Sequence, residues 1–262
     1  MKTITSRENP QVKRWHALAH SARDRRKHAE TLLDGAHLVQ AALDAHWPLK
    51  ALIVSESALE QAEPARLCAT APAALARFVL SDPVFRHVSP VDTPSGVLAL
   101  IDLPAAPPAL PLEASVVVLD AVQDPGNLGT ILRTAAAAGI RTVLLGEGCA
   151  QAWSPRVLRA GMGAHFALTI EEGLDLVARL DGYPGIRVAT ALGEGARSLY
   201  ALDLRQPVAW LFGAEGQGLS PRLLACADTR AIIPMSPAVE SLNVGAAVAV
   251  CLFEQARQWQ QR

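Results

Sequence analysis

The sequence predicts an α/β fold, a mostly parallel sheet with helices on both faces, preceded by a smaller α/β domain. Three observations lead there. After residue 112, short apolar runs such as SVVVLD, RTVLLG and PVAWLFG alternate with segments of helical period, as parallel strands covered on both sides require. Before residue 104 the same alternation recurs on a smaller scale. Between them lies DLPAAPPALPLEAS, where Pro104, Pro107, Pro108 and Pro111 remove backbone donors and favour an extended spacer. The expected division is therefore a first domain over 1–103, a proline-rich linker over 104–112 and a second domain over 113–262.

In order, the first domain reads as a helix over about 9–28, a short strand at TLLDG, a helix over about 35–46, a strand at LKALIVSE, and further alternation ending in SGVLALIDL. The second domain reads as strand SVVVLD, helix NLGTILRTAAAAG, strand RTVLLG, helix SPRVLRAGMG, strand HFALTI and helix EEGLDLVARLDG. Then come strands IRVATAL and PVAWLFG, helix SPRLLACA, strand RAIIPM and a last helix after Asn243. Ala-rich stretches here are helix formers, and no internal repeat is present.

The totals narrow the function classes. The chain has 262 residues, half of them hydrophobic, enough for two folded domains. No run approaches the roughly 20 apolar residues of a membrane helix, and the N-terminus lacks an apolar signal region. Cys68, Cys149, Cys226 and Cys251 are scattered with no C-x-x-C pair, which argues against disulfides and metal and for a reducing, cytoplasmic setting. Residues 1–27 carry eight basic against two acidic side chains, a net of +6, which leaves −7 of the overall −1 for the remainder. Such a patch reads either as a solvated helix surface or as a footprint for a polyanion.

Ligands of parallel sheets sit at the C-terminal ends of the strands. There is no G-x-G-x-x-G after the first strand of the second domain and no G-x-x-x-x-G-K-[ST] anywhere, so the common nicotinamide and nucleoside-triphosphate sites are disfavoured. Three strand-end loops carry chemistry instead. In LDAVQDPGNLGTILR, Asn127 opens a helix, where it reads as an N-cap or a site residue. Arg133 reads as a surface arginine, or as one leaning across the bare Gly129 one turn earlier toward the strand ends. In WLFGAEGQGLS, Glu215 lies between Gly213 and Gly218, residues that allow close approach to backbone. In IPMSPAVESLNVGAAVAV, Ser241 and Asn243 stand at the mouth of the last helix, where capping and catalysis are compatible.

Taken together, Asn127 and Arg133, the G-x-E-x-x-G run, and I-P-M followed by S-L-N resemble the three motifs of the SpoU/TrmH family of RNA ribose 2′-O-methyltransferases, in order and spacing over about 116–258. More loosely, SRENPQVKRWHAL and TLLDGAHLVQAAL resemble the substrate-binding domain that precedes the catalytic domain in ribosomal-RNA members. Gly245 departs from the Ser or Ala that many relatives carry. The resemblance implies a C-terminal trefoil knot and S-adenosyl-L-methionine held largely by backbone of Leu211, Gly213, Gly218, Ile233, Met235 and Leu242. It further implies catalytic roles for Arg133, Asn127, Glu215, Ser241 and Asn243. In the family the arginine's counterpart is a suggested proton acceptor; because a guanidinium holds its proton at neutral pH, gripping an RNA phosphate is the role expected of Arg133.

The implied reaction is methyl transfer to a ribose 2′-OH, with ribosomal RNA the expected substrate. Transfer RNA, a base nitrogen, and RNA binding without catalysis are the alternatives. The resemblance also implies a two-fold homodimer. The last helix agrees, since its stripe of Val244, Val248, Cys251 and Leu252 is widened by Phe253 and continues to Trp259.

Overall fold

A computed structural model of the chain describes residues 1–105, 112–193 and 195–260, so most of the expected linker lies outside the described residues. Residues Met1–Ala105 together with Trp153–Phe166 form one compact unit, and the remaining described residues form a second.

The first unit is built on β1 (Lys2–Ile4), α1 (Pro10–His20), α2 (Ala22–His28), β2 (Glu30–Asp34), α3 (Ala36–Asp44), β3 (Leu49–Ser55), α4 (Ala62–Thr70), β4 (Ala76–Leu80), α5 (Asp82–Val88) and β5 (Val97–Asp102). Its five-stranded sheet runs β1-β4-β3-β5-β2, with β5 antiparallel to both neighbours and the other pairs parallel. Trp15 and Leu18 of α1 and Phe85 of α5 pack on Leu32, Ile53 and Leu98 of the sheet. The single helix expected over 9–28 is two helices. Ser21 takes an extended conformation (φ −120°, ψ 114°) and its hydroxyl accepts from the Asp24 amide at 3.1 Å, so it caps α2. Arg25 then folds back and donates to the Leu18 carbonyl at 2.8 Å, satisfying the frayed end of α1.

The stretch 153–166, which a boundary at 113 places in the second domain, packs within this first unit. It holds α7 (Pro155–Gly161), whose Arg159 pairs with Asp34 at the end of β2. Trp153 and Phe166 flank Trp47, with ring centroids 5.6 and 5.3 Å away. Burial holds the Asp34 carboxyl above the usual range, against the opposing pull of Arg159.

The second unit contains β6 (Val116–Asp120), α6 (Pro125–Ala137), β7 (Thr142–Gly146), β8 (Thr169–Leu174), α8 (Leu176–Arg179), β9 (Ile186–Thr190), β10 (Arg197–Ser198), β11 (Val208–Gly213), α9 (Pro221–Ala225), β12 (Thr229–Ile232) and α10 (Val244–Gln260). All seven strands are parallel, in the order β10-β12-β9-β11-β6-β7-β8. The central strands β6 and β11 are buried except at their C-terminal residues, as their unbroken apolar runs demand. Trp210 is fully buried and donates its indole N–H to Gln255 Oε1 at 2.8 Å, which ties α10 to the sheet.

The helix expected over EEGLDLVARLDG is mostly absent. β8 continues to Leu174, Asp175 caps a single turn, and α8 ends at Arg179. The cause is tertiary: Glu171 is buried against Arg179 in a two-pronged pair at 2.8 Å, which fixes residue 171 in the strand. Among the described residues no helix is long and apolar enough to cross a membrane.

Candidate active site

Three loops at the C-terminal ends of β6, β11 and β12 converge on one network. The cap of α6 is Asp124, whose Oδ1 accepts from the Asn127 amide at 2.7 Å. Asn127 is thus the third residue of the helix and not its cap, and its side chain is free to reach outward. Its Nδ2 donates to Glu215 Oε1, while its Oδ1 accepts from Asn243 Nδ2 at 3.0 Å. Asn243 Nδ2 also donates to Glu215 Oε1 at 3.1 Å. An ionised carboxylate only accepts, so both amide NH2 groups must turn toward Glu215. Asn243 Oδ1 is left to cap α10, accepting from the Gly245 and Ala246 amides at 2.9 and 3.3 Å.

Glu215 is held by a tight turn. The Gly218 amide donates to the Ala214 carbonyl at 2.8 Å, and Gly218 has φ +67°, which favours glycine. A Cβ on Gly213 would lie 2.1 Å from the Gly218 carbonyl carbon, so the strand end meets the turn backbone to backbone.

Beside this network lies a cleft of about 200 Å³. Gly213, Glu215, Gly218, Ile233, Met235, Ser241 and Leu242 line it, together with Thr190, Phe212 and Glu240, which sequence reasoning did not single out. Thr190 ends β9, a strand whose loop carries no motif, so only topology brings it here. The Leu211 side chain is not part of that lining. Its side chain belongs to the buried core, and its carbonyl accepts from Thr190 Oγ1 at 3.2 Å.

Arg133 is not drawn into the network. It is exposed on α6 and makes no hydrogen bond or ion pair among the described residues. Gly129, one turn earlier, is buried. Gly245 sits where α10 meets α6, and a Cβ there would lie 3.1 Å from Asn243 Oδ1 and 3.3 Å from Thr130 Cγ2. The Cys251 and Cys149 thiols are poor nucleophiles, since burial pushes Cys251 up to about 12 and raises Cys149 also.

The lining fits S-adenosyl-L-methionine. Ile233, Met235, Leu242 and Phe212 offer apolar walls for a purine, bare backbone at Gly218, where a Cβ would meet nothing within 4 Å, allows close approach, and the charged side chains lining the cleft are both acidic.

Residues 114–253 match the SpoU rRNA Methylase family, and residues 9–99 match an MRM3-like substrate binding domain. The chain belongs to the SpoU rRNA methylase family. This SpoU methylase is 33% identical to the 23S rRNA (guanosine(2553)-2′-O)-methyltransferase RlmP of Bacillus subtilis, over 97% of the chain and 98% of that protein. It resembles the AdoMet-bound rRNA methyltransferase from Sinorhizobium meliloti with a TM-score of 0.82 and 32% identity, covering 98% of the chain and 97% of that structure. A crystal structure of an RNA 2′-O ribose methyltransferase matches with a TM-score of 0.84 and 32% identity, covering 98% of both chains. The α/β architecture of mostly parallel sheets is the one these methyltransferases share.

Proposed function

We propose that this SpoU methylase transfers a methyl group from S-adenosyl-L-methionine to a ribose 2′-OH of ribosomal RNA. The observation that carries the reading is the Asn127–Glu215–Asn243 network, in which the three loops meet at the mouth of the cofactor cleft. When bound, the cofactor supplies an electrophilic methyl carbon. The chain's own residues then have to align the 2′-oxygen and dispose of its proton. Glu215 and the two asparagines fix the wall of the cleft, Ser241 offers a hydroxyl at its rim, and Arg133 is free to grip an RNA phosphate. Alignment of this kind can supply roughly 7–11 kcal/mol of the barrier.

The ribosomal substrate is favoured by the substrate-binding match over residues 9–99 and by full-length similarity to RlmP. The first unit, with the basic residues 1–27, is the RNA-holding domain and the second unit the catalytic one. A trefoil knot is supported by the topology, since β11 enters between β6 and β9, both of which precede it in the chain. A cytoplasmic homodimer completes the reading, its interface including the exposed Phe253.

The test is a map of 2′-O-methyl sites in total RNA from cells with and without the gene, followed by methylation of the unmodified RNA with purified protein. Loss of one ribosomal site, restored in vitro, is the expected result. An unchanged ribosomal map with a lost transfer-RNA site would overturn the substrate, and no change anywhere would overturn the activity.

A further inference from the structure

Only two charged side chains line the cofactor cleft among the described residues, and both are carboxylates. They are not equivalent. Glu215 Oε1 already accepts from Asn127 and Asn243, so its charge is committed to the loop network. Glu240 makes no hydrogen bond or ion pair among the described residues, and it lies on the opposite loop beside Ser241 and Leu242. An uncommitted negative charge facing a cleft with no basic partner is set to act on whatever charge enters.

That charge differs between the two states of the cofactor. S-adenosylmethionine carries a sulfonium, an ammonium and a carboxylate, for a net of +1. When the methyl leaves, the C–S bond breaks and its electron pair stays on sulfur. The product is then a neutral thioether with no net charge. The ammonium and carboxylate are common to both and cancel in a comparison. We propose that Glu240 is a specificity residue that makes the cleft prefer the sulfonium cofactor over its spent thioether, through the charge lost on transfer. The proposal rests on the reading of this cleft as the cofactor site.

Glu240 is exposed, so the effect is that of a solvated ion pair, about two- to fivefold in affinity. It is electrostatic and shrinks as salt shortens the screening length. The consequence for turnover is direct: the product loses one attraction at the moment it must leave.

Calorimetric titration of the full chain with S-adenosylmethionine and with S-adenosylhomocysteine tests this. Glu240→Gln should weaken the methylated cofactor about two- to fivefold and leave the thioether unchanged. Raising KCl should narrow the wild-type preference and leave that of Glu240→Gln flat. Equal weakening of both ligands, or of neither, overturns the proposal. Met235→Lys separates this from the site assignment, because Met235 also lines the cleft and, at 38% exposed, tolerates a polar head. It should also weaken the methylated cofactor selectively. If Met235→Lys does so and Glu240→Gln does not, the cleft stands and the role of Glu240 falls. If neither variant moves either affinity, the cofactor binds elsewhere and the cleft assignment falls with it.

Discussion

Asn243 serves Glu215 and α10 with opposite ends of one amide: its Nδ2 donates to the carboxylate at 3.1 Å while its Oδ1 accepts from the Gly245 amide at 2.9 Å. The fold and the site share a residue, and the two uses can be separated chemically. Asn243→Asp keeps an oxygen cap of comparable strength, so the melting temperature should stay within a few degrees. It also sets a second carboxylate against Glu215 and breaks the network, so methyl transfer should fall at least a hundredfold. Asn243→Ala loses the cap as well and should be about 1 kcal/mol less stable. Thermal unfolding beside single-turnover methylation checks both, and an active Asn243→Asp would remove the network from catalysis.

Arg133 is exposed and unbonded among the described residues, so it contributes little to folding. Arg133→Ala should change unfolding by less than about 0.5 kcal/mol. Cofactor affinity should stay within a few-fold while methyl transfer is abolished. A variant turning over at a tenth of the normal rate would make Arg133 an ordinary surface residue.

The Asp34–Arg159 pair predicts a pH dependence. Burial raises the Asp34 carboxyl in the folded chain, so the native state binds its proton more tightly than the unfolded state does. The group therefore subtracts stability once ionised, and that loss is relieved as pH falls from neutrality through the raised native value toward the ordinary carboxylate range. Asp34→Asn removes this titration. The melting temperature of the wild type relative to Asp34→Asn should accordingly rise as the pH is lowered from 7 to 4. A constant difference would show that Arg159 compensates the burial in full.

Phe253 is 51% exposed on α10, whereas Trp259 is half-buried and donates its indole N–H to the Leu204 carbonyl at 3.1 Å. The two residues, alike in the sequence as candidates for an interface, now predict different outcomes. Phe253→Glu should leave the monomer fold intact and shift sedimentation equilibrium at micromolar concentration toward the 27.8 kDa species. Trp259→Glu should lower the melting temperature first. A wild-type chain that sediments as an active monomer would overturn the dimer.

Much of this was legible in the sequence because its causes are local. The apolar runs at 116–120 and 208–213 specify buried parallel strands, Pro221 marks a helix start, and the three motif loops fall at strand ends. Ser21 carried a legible cap signal inside an otherwise helical pattern. What could not be read depends on distant partners. Nothing near Glu171 announces that Arg179 will bury it as a strand residue, and nothing near Trp153 announces Trp47. Asp124 and Asn127 are equally good caps on paper, and only the pull of Glu215 and Asn243 shows why the aspartate takes that place.

The place of β11 in the sheet bears on how the chain is made. Residues 208–213 lie between β6 and β9, strands formed from residues 116–120 and 186–190. During synthesis β6, β7 and β8 can pair in the order they emerge, but β6 keeps one edge open, and β9 both of its edges, until β11 follows about 90 residues after β6. Those edges are long-lived templates for wrong pairing. The centre of the sheet therefore closes late, with only β12 entering after it, and the turn bearing Glu215 follows directly on that closure. A chain stalled before residue 208 holds Asn127, Arg133 and Thr190 but neither Glu215 nor the rest of the cofactor wall, so the nascent protein cannot acquire a half-built activity.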